Sequence, residues 1–317
     1  MENHKKIIIY ISNFNLIGGV ETSIMNFVKV MHKHCDLSLM FDKYENIKTL
    51  KTASDYCEVI QADYQTKYDC DVFICQTAWG RDVYDLINAK KYIQIVHADY
   101  GYYIKGWNFK YEKHPKITHH VCVGNTVKEA FEKATPYKCD AVVFNFLDPY
   151  YKPTKKPKND KLTLITVSRI SSEKGFKRKL QLAKILEENN IDYVWDIYGN
   201  MSSSFAQNTK EHFRPYHNVN FKGITTTALD EITKADYLVQ LSDTEGFCYS
   251  VSEALQTKTP CLITQFTSGH EQVKNGVNGY ILPFEMDNIP LNEIVSKIPV
   301  VKGFKDKSVI NDWLKLF

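Results

Sequence analysis

The chain has 317 residues, 44% of them hydrophobic and 24% charged, with a net charge of +3 at neutral pH. That length accommodates two domains with separate cores, and so mild a positive balance argues against a nucleic-acid binder. No run approaches the roughly 18 apolar residues of a membrane span, and the apolar stretch in MENHKKIIIYIS is too short for a secretory signal. A cytoplasmic protein is therefore expected. Its cysteines (Cys35, Cys57, Cys70, Cys75, Cys122, Cys139, Cys248, Cys261) form no CxxC pair and several sit in strand-like runs, which predicts reduced, mostly buried thiols.

In chain order, KIIIYIS reads as a strand, followed by a loop and by VETSIMNFVKVMHK, where Val20, Ile24, Phe27, Val28 and Met31 recur at helical spacing. CDLSLMF, DVFICQ, KYIQIVH, THHVCVG and CDAVVFNF read as further strands, with RDVYDLINAKK and TVKEAFEKAT as helices among them. This alternation predicts a doubly wound α/β domain over residues 1–150. Residues 149–161, PYYKPTKKPKNDK, hold three prolines and five lysines and read as a linker. The pattern then restarts with LTLITVS, the helix KGFKRKLQLAKILEEN, DYVWDIYGN, NVNFKG, DYLVQLS, the helix SVSEALQT, PCLIT and GYIL, a second domain over 151–305. Two such domains imply a ligand held in the cleft between them.

Three loops carry candidate chemistry. In SNFNLIGGVETS, Gly18 and Gly19 stand just before a helix, so backbone N–H groups there suit an anionic or polyhydroxyl ligand, or simply a tight turn. VSRISSEKGF puts Arg169 at a strand's carboxyl end and Lys174 at the start of the next helix. A guanidinium fork with an ammonium close by is a receptor for a diphosphate. EGFCYSVSE brackets seven residues between Glu245 and Glu253. On a continuous helix they would lie about 12 Å apart along the axis, too far to share a proton, so they read as two separate hydrogen-bonding posts.

Taken together, GGVET, VSRISSEKGF, DIYGN, VNFKG, EGFCYSVSEAL, TKTPCLIT and NGVNGYIL resemble, in order and spacing, the retaining nucleotide-sugar glycosyltransferases of family 4. The resemblance implies the GT-B fold, two Rossmann-like domains facing across a cleft. It implies that Arg169 and Lys174 hold the donor diphosphate, that Glu245 lies beside the donor sugar near the N–H groups of Gly246, Phe247 and Cys248, and that Glu253 accepts from the ribose hydroxyls. Gly199 would line the donor cleft with Gly18 and Gly19. His97, in HADY, resembles the histidine that the family places near the donor sugar. The family usually has Leu-Pro where this chain has Tyr249-Ser250 and glycine where it has Lys258, so the turn before PCLIT is expected to be built differently.

No metal or other cofactor is expected. Asp69-Cys70-Asp71 has a DxD form but opens a strand, and His119, His120 and Cys122 alternate faces within one. Residues 100–116, YGYYIKGWNFKYEKHPK, interleave aromatics with lysines. They read either as a packed surface loop or as an acceptor or membrane-surface element, with Tyr103, Trp107 and Tyr111 as candidates. The closing segment, about 306–317, is amphipathic and is expected to pack back on the first domain.

The resemblance thus implies a metal-independent, retaining, hexosyltransferase-type enzyme. It would move a sugar from a nucleoside diphosphate donor, with UDP the first choice, to a hydroxyl of a cell-envelope, teichoic-acid-like or lipid-linked glycan, with peripheral membrane association. The rivals are a non-catalytic subunit of a transferase complex and a GT-B epimerase or phosphorylase. A retaining hydrolase is disfavoured because its carboxyls would stand about 5 Å apart.

Overall fold

The computed structural model describes residues 4–14, 18–44, 47–76, 82–152, 154–302 and 309–317. The chain divides into two compact units, Met1–Tyr150 with Asp306–Phe317, and Tyr151–Lys305.

In the first unit the strands β1 (Lys6–Phe14), β2 (Asp36–Tyr44), β3 (Glu58–Gln61), β4 (Tyr68–Cys75), β5 (Ile87–Val96), β6 (His119–Cys122) and β7 (Ala141–Val142) form one parallel sheet in the order β3-β2-β1-β4-β5-β6-β7. The isoleucine run of β1 is buried on both faces, as expected of a central parallel strand. The helix α1 (Gly19–Met31) buries Ile24, Phe27, Val28 and Met31, the stripe legible in the sequence. The closing helix α12 (Val309–Leu316) lays Trp313 edge-on against Phe27, ring centroids 5.0 Å apart. The earlier part of that amphipathic segment, 306–308, lies outside the described residues, as do 15–17 of the first loop.

The second unit holds β8 (Leu162–Val167), β9 (Tyr193–Tyr198), β10 (Val219–Gly223), β11 (Tyr237–Gln240), β12 (Cys261–Thr264) and β13 (Gly279–Leu282), in the order β10-β9-β8-β11-β12-β13. Alternate residues feed two cores. Leu164, Tyr237 and Val239 pack with Trp195 and Leu182, whereas Ile165 and Leu238 pack with Val251, Ala254 and Ile263. Both units are thus doubly wound α/β folds with parallel sheets.

Three local expectations are corrected. RDVYDLINAKK is helical only in the turn Val83–Leu86, because β5 starts at Ile87 and pairs with β4 from Tyr68 onward. CDAVVFNF stays in the sheet for only two residues. Beyond them, Asn145 Oδ1 accepts from Ser23 at 2.8 Å and the Phe146 carbonyl from Asn26 at 3.0 Å, drawing the segment over α1. Residues 100–116 are not a plain loop. They open with α4 (Tyr100–Trp107), capped by Asp99, whose carboxylate accepts from the Tyr102 N–H at 3.0 Å.

The turn before PCLIT holds its lysine in a left-handed conformation. After α9 (Tyr249–Gln256), Lys258 takes φ +63°, with Lys258 N donating to Leu255 O at 3.2 Å and Thr259 N to Ala254 O at 2.7 Å. This is a Schellman turn with lysine in the glycine position. Among the described residues no disulfide forms, and six of the eight cysteines are buried.

Candidate functional site

The candidate residues of the second unit gather at the carboxyl edge of its sheet. The chain leaves β8 through Arg169, makes a single 3-10 turn at Ser172–Lys174, passes Gly175 and enters α6 (Phe176–Glu188). Gly175 has φ +66°, and a Cβ on it would stand 1.7 Å from the Leu241 carbonyl, so only glycine lets this turn lie against the end of β11. The turn presents Lys174 inward. Its ammonium lies 2.7 Å from Glu245 Oε1, with the two side chains 13% and 11% exposed. Burial lowers the pKa of Lys174, but Glu245 and Cys248 more than offset it, and the net direction is upward. Lys174 therefore stays charged at neutral pH.

Glu245 is held from other sides as well. Ser242 Oγ donates to its Oε1 at 2.7 Å and Gln240 Nε2 at 3.0 Å. The loop between β11 and α9 is pinned by Arg178, which bonds the Leu241 carbonyl at 2.9 Å and pairs with Asp243, and by Asp243 N donating to Glu173 O at 2.8 Å. Thr264 Oγ1 fastens Ser242 O at 2.5 Å. This loop is thus a rigid cradle.

The loop ends at the N-terminus of α9. Cys248 is the N-cap residue, its side chain caps nothing, and no acidic residue stands in the first turn. Burial pushes its thiol up to about 12, so it is inert at neutral pH. Gly246, Phe247 and Cys248 therefore lead into a helix end whose N–H groups have no side-chain acceptor from the N-cap, the arrangement that favours an anion. Glu253 sits half-buried one turn into α9. Gly199 follows β9, and a Cβ there would meet the Ser168 carbonyl at 2.4 Å, so this glycine permits close packing beside the Arg169 loop.

Arg169 lies near enough to Lys174 for its charge to oppose protonation there, but it is much the more exposed of the two. Its side chain is 65% exposed and reaches Glu173 at 3.3 Å, while Glu173 also accepts from Ser171 at 2.6 Å. Lys174 pairs instead with Glu245. The sequence reading also passed over Gln240, Ser242, Arg178 and Lys179. Lys179 had a signal. It falls on the buried stripe Phe176, Lys179, Leu182, Ala183, Leu186 of α6.

In the first unit, His97 follows β5 and its Nε2 lies 2.5 Å from Gln76 Oε1. Because that oxygen only accepts, Nε2 carries the proton. Burial pushes the imidazole pKa down to about 4, so the ring is neutral at pH 7. Gly18 is the N-cap residue of α1, but Glu21 folds back over it. A Cβ on Gly18 would stand 2.2 Å from Glu21 Oε2. The α1 terminus thus faces a carboxylate of its own chain, which disfavours an anionic ligand at Gly18 and Gly19.

Tyr111 follows the packed reading of residues 100–116. Its hydroxyl meets His120 Nε2 at 2.8 Å and its ring packs on Tyr100, Phe131 and Tyr137. It is a packing residue, whereas Trp107 is 65% exposed beside Tyr103. Asp71 pairs with Lys90 at 2.7 Å and Asp69 accepts from Asn88 at 2.7 Å. Among the described residues no three His, Cys, Asp or Glu side chains cluster as metal ligands. No helix among them is long and apolar enough to cross a membrane. A small cavity of about 10 Å³, room for one water, is lined by Ser23, Gln76, Asn145 and Trp313 in the first unit.

Residues 150–298 match the family described as Glycosyl transferases group 1. No curated protein matches the chain in sequence. Among solved structures, Alr3699/HepE of Anabaena in complex with UDP and glucose superposes with a TM-score of 0.71 at 13% identity, covering 98% of this chain and 95% of that one. The lipopolysaccharide outer core galactosyltransferase WaaB gives 0.67 at 17% identity over 98% of both chains. Sucrose-phosphate synthase of Thermosynechococcus elongatus gives 0.68 at 12% identity, over 88% of this chain and 86% of that one. The chain thus has the GT-B fold of glycosyltransferases, and most of its second unit matches the group 1 glycosyl transferases.

Proposed function

We propose that the protein is a retaining glycosyltransferase that takes its sugar from a UDP-sugar without a metal ion. The observation that carries this reading is the Lys174–Glu245 pair in the loops that lead to the N-terminus of α9, whose first turn holds no acidic residue. A buried ammonium and a helix end supply the positive potential that a departing diphosphate needs, the task a divalent cation performs elsewhere. Arg169, exposed at the same edge, adds a third charge. In this reading Glu253 holds the ribose hydroxyls.

The bond from the anomeric carbon to the diphosphate oxygen breaks while one to the acceptor hydroxyl forms on the same face. The acceptor proton passes to the departing diphosphate. UDP as the nucleotide is supported by the HepE complex, and an envelope glycan as acceptor by the name of WaaB. The acceptor class extends to teichoic-acid-like and lipid-linked glycans, met by a cytoplasmic enzyme at the membrane surface.

A thermal-shift panel of UDP, GDP, ADP and CMP in EDTA, then with manganese, tests the reading. A selective shift with UDP in EDTA, lost in Glu253→Ala, is expected. A shift that needs manganese contradicts the metal-free reading, and none with any nucleotide contradicts the donor site.

A further inference from the structure

Lys179 is fully buried, 0% exposed, on the apolar stripe of α6. A leucine or methionine there would pack without desolvating a charge, and replacing buried ions by apolar residues is often stabilising. The chain holds a lysine instead, and its surroundings suggest why. Its ammonium donates to the carbonyl of Lys174, the last residue of the 3-10 turn, and lies 4.5 Å over the Phe176 ring. It therefore grips from below the residue whose ammonium meets Glu245 from above.

We propose that Lys179 is a positioning residue of the donor site: its ammonium fixes the Lys174 backbone so that the Lys174 side chain reaches Glu245, and its charge adds to the potential under the diphosphate. This rests on the donor-site reading above. The charged and titratable groups facing Lys179 come from three elements. Arg178 lies on its own helix, Lys174 on the 3-10 turn, and Glu245 and Cys248 on the loop before α9.

Burial is the main force lowering the Lys179 pKa, the Lys174 ammonium and the Arg178 guanidinium act the same way, and Glu245 opposes them, leaving it at about 7. The grip is thus charge-assisted below neutrality, and above it the amine keeps N–H donors but loses the charge that strengthens the bond. Below pH 7 both folded and unfolded chains carry this proton. Between about 7 and the ordinary lysine value the unfolded chain binds more, so for this group stability rises with pH there.

The test is calorimetric titration of UDP-glucose, whose diphosphate does not titrate in this range, onto native protein, Lys179→Met and Lys179→Arg between pH 6 and 9. Native affinity is expected to fall on the order of tenfold as pH rises. Lys179→Met should bind weakly with no such slope, yet melt at the same or a higher temperature. Lys179→Arg, charged throughout, should restore binding at pH 9. A native slope unchanged in Lys179→Met overturns the proposal. So does a flat native profile, or a loss of affinity that only tracks a fall in melting temperature. If the native chain binds neither UDP-glucose nor UDP at any pH, the donor-site reading itself fails.

Discussion

Lys174 and Glu245, 71 positions apart in sequence, meet at 2.7 Å with little of either side chain exposed. Removing one partner leaves a buried charge, whereas removing both does not. Glu245→Ala is therefore expected to cost about 3 kcal/mol in urea unfolding. The double variant Lys174→Met/Glu245→Leu should recover most of that stability while remaining unable to bind UDP. A double variant as unstable as the sum of its singles would mean the pair is not coupled.

Much of this arrangement was legible in the sequence. Strand-like and helix-like runs locate most of both sheets, and Glu245 and Glu253 stand out by their spacing. What escaped depends on partners far away in the chain. Ile87 leaves a helical pattern because β4 offers it a ladder, and Lys174 turns to Glu245 because Gly175 lets the turn sit against Leu241. Glu21 closing over Gly18 and Tyr111 turning to His120 are side-chain choices that no periodicity encodes.

His97 and His120 are both depressed to about 4, chiefly by burial, with Lys113 also lowering His120. Between pH 4 and 6.5 the unfolded chain binds more protons at these sites, so stability falls as pH drops through that window. Urea midpoints are expected to decline from pH 7 to pH 4, and less steeply in His97→Gln. A slope identical in that variant would assign the acid sensitivity elsewhere.

Lys258 holds a left-handed conformation that costs a lysine about 1 kcal/mol. Lys258→Gly should raise stability by about 0.5–1 kcal/mol in chemical denaturation, the gain tempered by the freer unfolded chain. A destabilised variant would show that the lysine side chain contributes something its φ does not reveal.

Trp107 and Tyr111 separate surface from core. Trp107→Ala should leave the melting temperature within a degree or two and UDP binding intact while raising the acceptor KM, since its ring is largely exposed. Tyr111→Ala, by contrast, removes the His120 contact and three ring contacts and should cost about 3 kcal/mol or more. Acceptor kinetics unchanged in Trp107→Ala would remove α4 from the acceptor side.

The measurement closest to the central claim is calorimetric titration of UDP and of uridine, in EDTA, onto the native chain and Lys174→Met. If Lys174 and the α9 terminus hold the diphosphate, the native chain binds UDP far more tightly than uridine, and Lys174→Met loses at least about tenfold in UDP affinity while its uridine affinity stays the same. Equal binding of UDP and uridine by the native chain, or undiminished UDP affinity in Lys174→Met, would contradict the claim.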